Sequence, residues 1–104
     1  MRVLRDFRGM PVRLSDERLV HILEHPEMEG LEAAIAETLA KPECVIQSLS
    51  DERARLYYRY YLGTRVGDKF LCVVVKLTDG DAFVLTAYLT DRVKRGTLVW
   101  SAKP

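Results

Sequence analysis

His21 and His25 are the only histidines of the 104-residue chain. Standing four apart, they fall on one side of any helix that holds both. An imidazole has an unperturbed pKa of about 6.5, so one ring is able to take a proton from a ribose hydroxyl and another to return one to a leaving oxygen. The string His21-Ile22-Leu23-Glu24-His25 also matches the inverted zinc-protease pattern His-x-x-Glu-His. A catalytic zinc needs a third protein ligand, and the chain offers no obvious second metal helix, so no metal site is assigned and no cofactor is expected. The ordinary structural alternative has His25 capping the helix end, where a cation suits the macrodipole, and His21 packed on a sheet.

A second constellation is Tyr57, Tyr58, Tyr60 and Tyr61, which places four of the five tyrosines beside Arg55 and Arg59. Aromatics are good strand formers, and two of the four are expected to face a core. The alternation assigns Arg55, Tyr57, Arg59 and Tyr61 to the outward row, where guanidinium forks hold phosphate and phenol rings stack bases. A third group is Thr86 and Tyr88, followed by Thr90, Arg92, Lys94 and Arg95. Threonine on a strand and basic residues in a turn are commonplace, so the value of this group lies in sharing a sheet face with Lys76 and Arg59.

The elements that must position these residues are legible as changes of period. Ser15 is a good helix N-cap, Asp16 and Glu17 put negative charge in the first turn, and Leu19, Val20, Ile22 and Leu23 supply an apolar face before Pro26, which predicts a helix of about ten residues. Leu31, Ala34, Ile35 and Leu39 predict a second helix over 31–40, stopped by Pro42. From residue 43 the period becomes two. Strands are expected over 44–49, 56–62, 70–77 and 82–90, with Asp79-Gly80 as a hairpin turn, residues 63–69 as a polar connection and a last short strand at 97–100 on the sheet edge. Residues 1–14 read as an irregular arm or an edge strand, because Gly9 and Pro11 interrupt a weak alternation. The expected fold is therefore α+β, with two short N-terminal helices packed on one face of a four- to five-stranded antiparallel sheet. Phe83, Leu85, Ala87 and Leu89 would meet the helices, leaving Lys76, Thr86 and Tyr88 on the open face.

Length and composition agree with one domain over 1–104: 48% of residues are hydrophobic and 30% charged, as in globular proteins. No apolar run approaches the ~20 residues of a transmembrane helix, and arginines crowd the start where an export signal would be apolar. Cys44 and Cys72 are too few for a disulfide framework, so a cytoplasmic setting without membrane contact is expected. The net charge of +1 hides an asymmetry, since residues 1–40 carry five Arg against eight acids and residues 41–104 eleven Lys/Arg against seven acids. An anionic partner should therefore meet the second half, although the charge is too balanced to announce a nucleic-acid binder by itself.

His21-Ile22 with His25-Pro26-Glu27, Leu56-Tyr57-Tyr58-Arg59, Val73-Val74-Val75-Lys76, Val84-Leu85-Thr86-Ala87-Tyr88, Arg92-Val93-Lys94 and Trp100 together resemble a family of small bacterial and phage-associated domains assigned to the barnase, EndoU, colicin nuclease and RelE-like ribonuclease superfamily. The resemblance spans about Val12 to Trp100. It implies a RelE-like fold, a metal-independent and toxin-like ribonuclease activity, RNA as substrate, and an antitoxin or immunity protein as partner. The implied reaction is attack of a ribose 2′-hydroxyl on the adjacent phosphodiester, giving a cyclic phosphate and a free 5′-hydroxyl. On that basis His21 or His25 would serve as acid or base, Arg59 and Lys76 would neutralise the phosphorane, Thr86 and Tyr88 would orient the phosphate, and Arg55, Tyr57, Tyr61 and Arg92 would hold substrate. The competing expectation is a non-catalytic RNA- or protein-binding module that uses the same face.

Overall fold

The computed structural model describes residues 1–103; Pro104 lies outside the described residues. In chain order the elements are β1 (Arg2–Arg5), β2 (Pro11–Leu14), α1 (Asp16–Leu23), a single 3₁₀ turn (Pro26–Met28), α2 (Glu32–Ala40), β3 (Cys44–Ser48), β4 (Ala54–Thr64), β5 (Gly67–Thr78), β6 (Asp81–Thr90) and β7 (Gly96–Ser101). All seven strands join one sheet in the order β1-β2-β6-β5-β4-β3-β7. Every pairing is antiparallel except β2 with β6.

This corrects the expected four- to five-stranded antiparallel sheet with two leading helices. Half of the chain is strand and 19% helix, the sheet is mixed, and a hairpin precedes the helices. The cause lies in residues 1–14. Gly9, at φ 83°, belongs to a turn rather than to a break, because the Asp6 carboxylate accepts the backbone N–H groups of Arg8 at 3.0 Å and Met10 at 2.9 Å. With the turn closed in this way, β1 pairs β2 from Arg2↔Leu14 to Arg5↔Pro11. Val12 and Leu14 are then buried against the helices, which draws β2 alongside β6 in the parallel sense.

Helix α1 starts where Ser15 accepts the Arg18 N–H at 3.1 Å, and it buries Leu19 and Ile22. Helix α2 buries Ile35, Thr38 and Leu39, with the Thr38 hydroxyl donating back to the Ala34 carbonyl at 2.8 Å. Both lie on one face of the sheet, over a core that includes Leu71, Val73 and Val75 of β5. Among the described residues the other face carries no helix, and it has its own smaller apolar cluster, built on Ile46, Leu56, Tyr58, Cys72 and Val74. No helix among the described residues is long and apolar enough to cross a membrane.

Two facing assignments are corrected as well. The row Arg55, Tyr57, Arg59 and Tyr61 points toward the helices rather than outward: Tyr57 is only 2% exposed within the helix-side core, and Tyr61 packs against the same core. The even-numbered row of β4 is the one that faces the open side. In β6 a bulge shifts the register between Val74↔Thr86 and Val75↔Val84. The helix-facing residues are therefore Ala82, Val84, Ala87 and Leu89, and Leu85 emerges on the surface at 37% exposure. A strict period of two cannot survive an inserted residue, so the two halves of β6 exchange faces at this point.

Candidate functional site

On the helix-free face, register aligns Cys44, Tyr58, Cys72 and Tyr88 side by side across β3, β4, β5 and β6. One step along the sheet the same face continues with Ile46, Leu56, Val74 and Thr86, and beyond it with Ala54 and Lys76. Two loops rise at its borders, the β3–β4 connection with Asp51 and the β6–β7 connection with Lys94 and Arg95. They enclose an open groove of about 420 Å³ whose floor and walls include Leu56, Val74, Leu85, Thr86 and Tyr88.

The loops are tied down by named bonds. The Tyr58 hydroxyl accepts the Lys94 backbone N–H at 3.1 Å, so a buried phenol fixes the basic loop to the sheet. The Lys94 ammonium lies 6.0 Å above the Tyr88 ring. On the opposite border Asp51 accepts a hydrogen bond from Lys76 and a second from the Arg53 N–H at 3.0 Å. The Lys76 hydrogen bond is the main reason that the Asp51 carboxyl titrates below its ordinary range. Among the described residues Asp51 is the only carboxylate lining the groove.

Burial pushes the hydroxyls of Tyr58 and Tyr88 well above the usual phenol range, and pushes the Cys72 thiol to about 11. At neutral pH all three stay protonated, which makes the phenols hydrogen-bond donors rather than bases and leaves the thiol a poor nucleophile. Cys44 and Cys72 are separated by the whole width of β4, or about 10 Å at normal strand spacing, beyond disulfide reach. Both are free thiols. The groove thus offers a carboxylate–ammonium pair, two further cations and neutral hydroxyl donors over an apolar floor. Chemically, hydroxyls and cations of this kind are able to bind the oxygens of an anionic group, and an apolar floor is able to take flat or aliphatic groups attached to it.

Of the residues singled out from sequence, the structure brings Lys76, Thr86 and Tyr88 onto this face and sets Arg92 in the adjoining β6–β7 loop. The others lie elsewhere. His21 and His25 are exposed, with ring centroids 6.2 Å apart, and the depression beside His21 is lined only by α1 and its cap. The thickness of the sheet separates them from the groove. Among the described residues no three His, Cys, Asp or Glu side chains gather to hold a metal ion, so the His-x-x-Glu-His string has no third ligand.

Arg59 and Tyr61 serve the helix layer. Arg59 donates to the Lys41 carbonyl at 2.8 Å and stands 3.4 Å from Glu37, while the Tyr61 hydroxyl donates to Glu37 at 2.7 Å. Together they secure the last turn of α2 against β4. The Tyr57 hydroxyl donates to Asp6 at 2.8 Å and so locks the β1–β2 turn, and Arg55 lines a small cleft beside that pair. Two residues that shape the groove were not singled out from sequence as site residues. Tyr58 reads as ordinary core, and Asp51 becomes a partner of Lys76 only through the pairing of Ala54 with Lys76.

No family model matches the chain, and no curated protein or solved structure matches it either.

Proposed function

We propose that this domain is a metal-independent endoribonuclease that receives an RNA phosphodiester in the groove of the helix-free face. The observation that carries the reading is the convergence there of Thr86, Tyr88, Lys94 and Arg95 with Asp51, the one carboxylate lining the groove among the described residues, which is paired with Lys76. In the reaction the ribose 2′-oxygen bonds to phosphorus as the bond from phosphorus to the 5′-oxygen breaks, leaving a 2′,3′-cyclic phosphate and a 5′-hydroxyl. Asp51 takes the 2′-hydroxyl proton, and the Lys76 ammonium gives one to the departing 5′-oxygen. Their ion pair then returns the proton from Asp51 to Lys76. Thr86 and Tyr88 donate to the non-bridging oxygens, while Lys94 and Arg95 offset the charge that builds on the phosphorane.

A second reading, RNA binding without cleavage, is favoured by the position of the histidines: among the described residues no imidazole lines the groove, and the charge-assisted pair leaves Asp51 a weak base. One experiment separates the two. Single-stranded RNA is incubated with the protein in EDTA, and both retention and product ends are measured. Cyclic-phosphate ends that disappear in Lys76→Ala support the nuclease. RNA retained intact, with an affinity that falls as salt is raised, supports the binding module. Absence of both cleavage and retention overturns both readings.

A further inference from the structure

The open face does not stop at the groove. Two residues beyond the Tyr58–Cys72–Tyr88 row, register pairs Tyr60 with Phe70 and Phe70 with Thr90 on the same side of the sheet. The Tyr60 and Phe70 rings meet edge to face at 4.9 Å, and Phe70 meets Tyr58 edge to face at 6.1 Å, forming a continuous aromatic strip. Tyr60 remains 42% exposed, so part of its ring is open to solvent beside the packed cluster. The strip has no role in holding helices, since the helices lie on the other face.

We infer that Tyr60 and Phe70 form a base-stacking subsite that makes single-stranded RNA, rather than duplex, the substrate of the groove. The inference rests on the RNA reading above and adds the class of RNA. Three observations support it. Phe70 and Lys76 stand six residues apart on β5, about 20 Å at normal strand rise, which is the length of a few extended nucleotides. Arg92 follows Thr90 at the aromatic end and Lys94 lies above the Tyr88 ring at the centre, while of the carboxylates at that end Asp91 is paired with Lys69 and Glu43 accepts the Tyr60 N–H. Aromatic faces accept any unpaired base, whereas bases in a duplex are already stacked and withdrawn from a flat surface of this kind. The strip therefore selects for strandedness and not for sequence.

The test is fluorescence-anisotropy binding of the full chain to a labelled dinucleotide, too short to reach from Lys76 to the strip, to a single strand several nucleotides longer, and to the duplex of that longer strand. The wild type is expected to prefer the longer single strand over both others. Tyr60→Ala should lower affinity for the longer strand by about tenfold, the order that loss of one base–aromatic stack produces, and leave the dinucleotide unaffected. Tyr60→Trp should restore the longer-strand affinity. Because Tyr60 is exposed, an unchanged melting temperature certifies each variant as folded. Equal affinity of Tyr60→Ala and wild type for the longer strand overturns the subsite while leaving the groove reading intact. Full retention of longer-strand affinity in Tyr60→Leu also overturns it, since an aliphatic side chain cannot stack a base. Failure of the wild type to bind either single strand overturns the RNA reading and the subsite with it.

Discussion

The ammonium of Lys76 and the carboxylate of Asp51 form an ion pair across the rim of the helix-free groove, one from the end of β5 and the other from the β3–β4 loop. Neither residue is near the other in sequence, and neither belongs to the helix layer. The pair couples a potential proton acceptor to a potential proton donor at the one place where hydroxyls and further cations converge.

If that pair transfers the protons of cleavage, Asp51→Asn and Lys76→Ala should each lower the cleavage rate by about 10²-fold or more, the usual range for a missing general acid or base. Initial rates on a defined single strand, with product ends identified, give the measurement. The pH dependence carries a sign. The Asp51 carboxyl is held below its ordinary value in the folded state, so its stabilising effect is present above about pH 4 and fades as pH falls through the lowered folded value. Thermal melting from neutral to acid should show this loss in the wild type, and Asp51→Asn should show a shallower acid decline. Equal acid sensitivity would remove Asp51 from the account.

Tyr58→Phe deletes the acceptor for the Lys94 N–H together with the hydroxyl's contact with the Cys72 thiol. A loss of about 1 kcal/mol in stability is expected, as for a typical intramolecular hydrogen bond. The larger effect should be on the β6–β7 loop, seen as faster amide exchange over residues 91–95 and weaker RNA retention, with the sheet unaltered. Unchanged exchange in that loop would show that the phenol is merely packed.

His21→Ala and His25→Ala are expected to leave RNA cleavage and retention within a factor of about two, because both rings lie on the solvent side of the helix layer. Their stability effects should also be small, as for other surface substitutions, within about 0.5 kcal/mol. Abolition of turnover by either change, with binding preserved, would transfer the proton-transfer role to α1.

Gly96 opens β7 in close contact with β3, where an added Cβ would overlap the Gln47 carbonyl oxygen and the Ile46 side chain. Gly96→Ala should cost about 1–3 kcal/mol, as overpacking does, and should detach the edge strand before the rest of the sheet. Denaturant unfolding gives the first quantity and amide exchange over β7 the second.

The period of the sequence carried much of the fold, and particular residues show where it stopped. Ser15, Pro26 and Pro42 bounded the two helices, and the alternation at residues 56–62 and 70–77 marked β4 and β5, because capping and pleating act between near neighbours along the chain. The β1–β2 hairpin was illegible since its turn is closed by Asp6, whose three partners include the distant Tyr57. The bulge at Leu85 was equally hidden, as it depends on what β5 offers opposite.

The candidate site divides along the same line. Residue types alone pointed to Lys76, Thr86 and Tyr88 as one group, and the sheet assembles them because residues a strand apart meet wherever register is fixed by local alternation. Which way the Arg55–Tyr61 row faces is a tertiary matter: alternation distinguishes two faces without saying which one the helices will cover, and β4 is apolar enough on both sides to serve either. Burying the Tyr57 hydroxyl on Asp6 satisfies both groups at once, and that pairing commits the row to the helix side. The distance between the histidines and the groove, and the partnership of Asp51 with Lys76, were likewise decided only when the helices closed over one face of the sheet and left the other open.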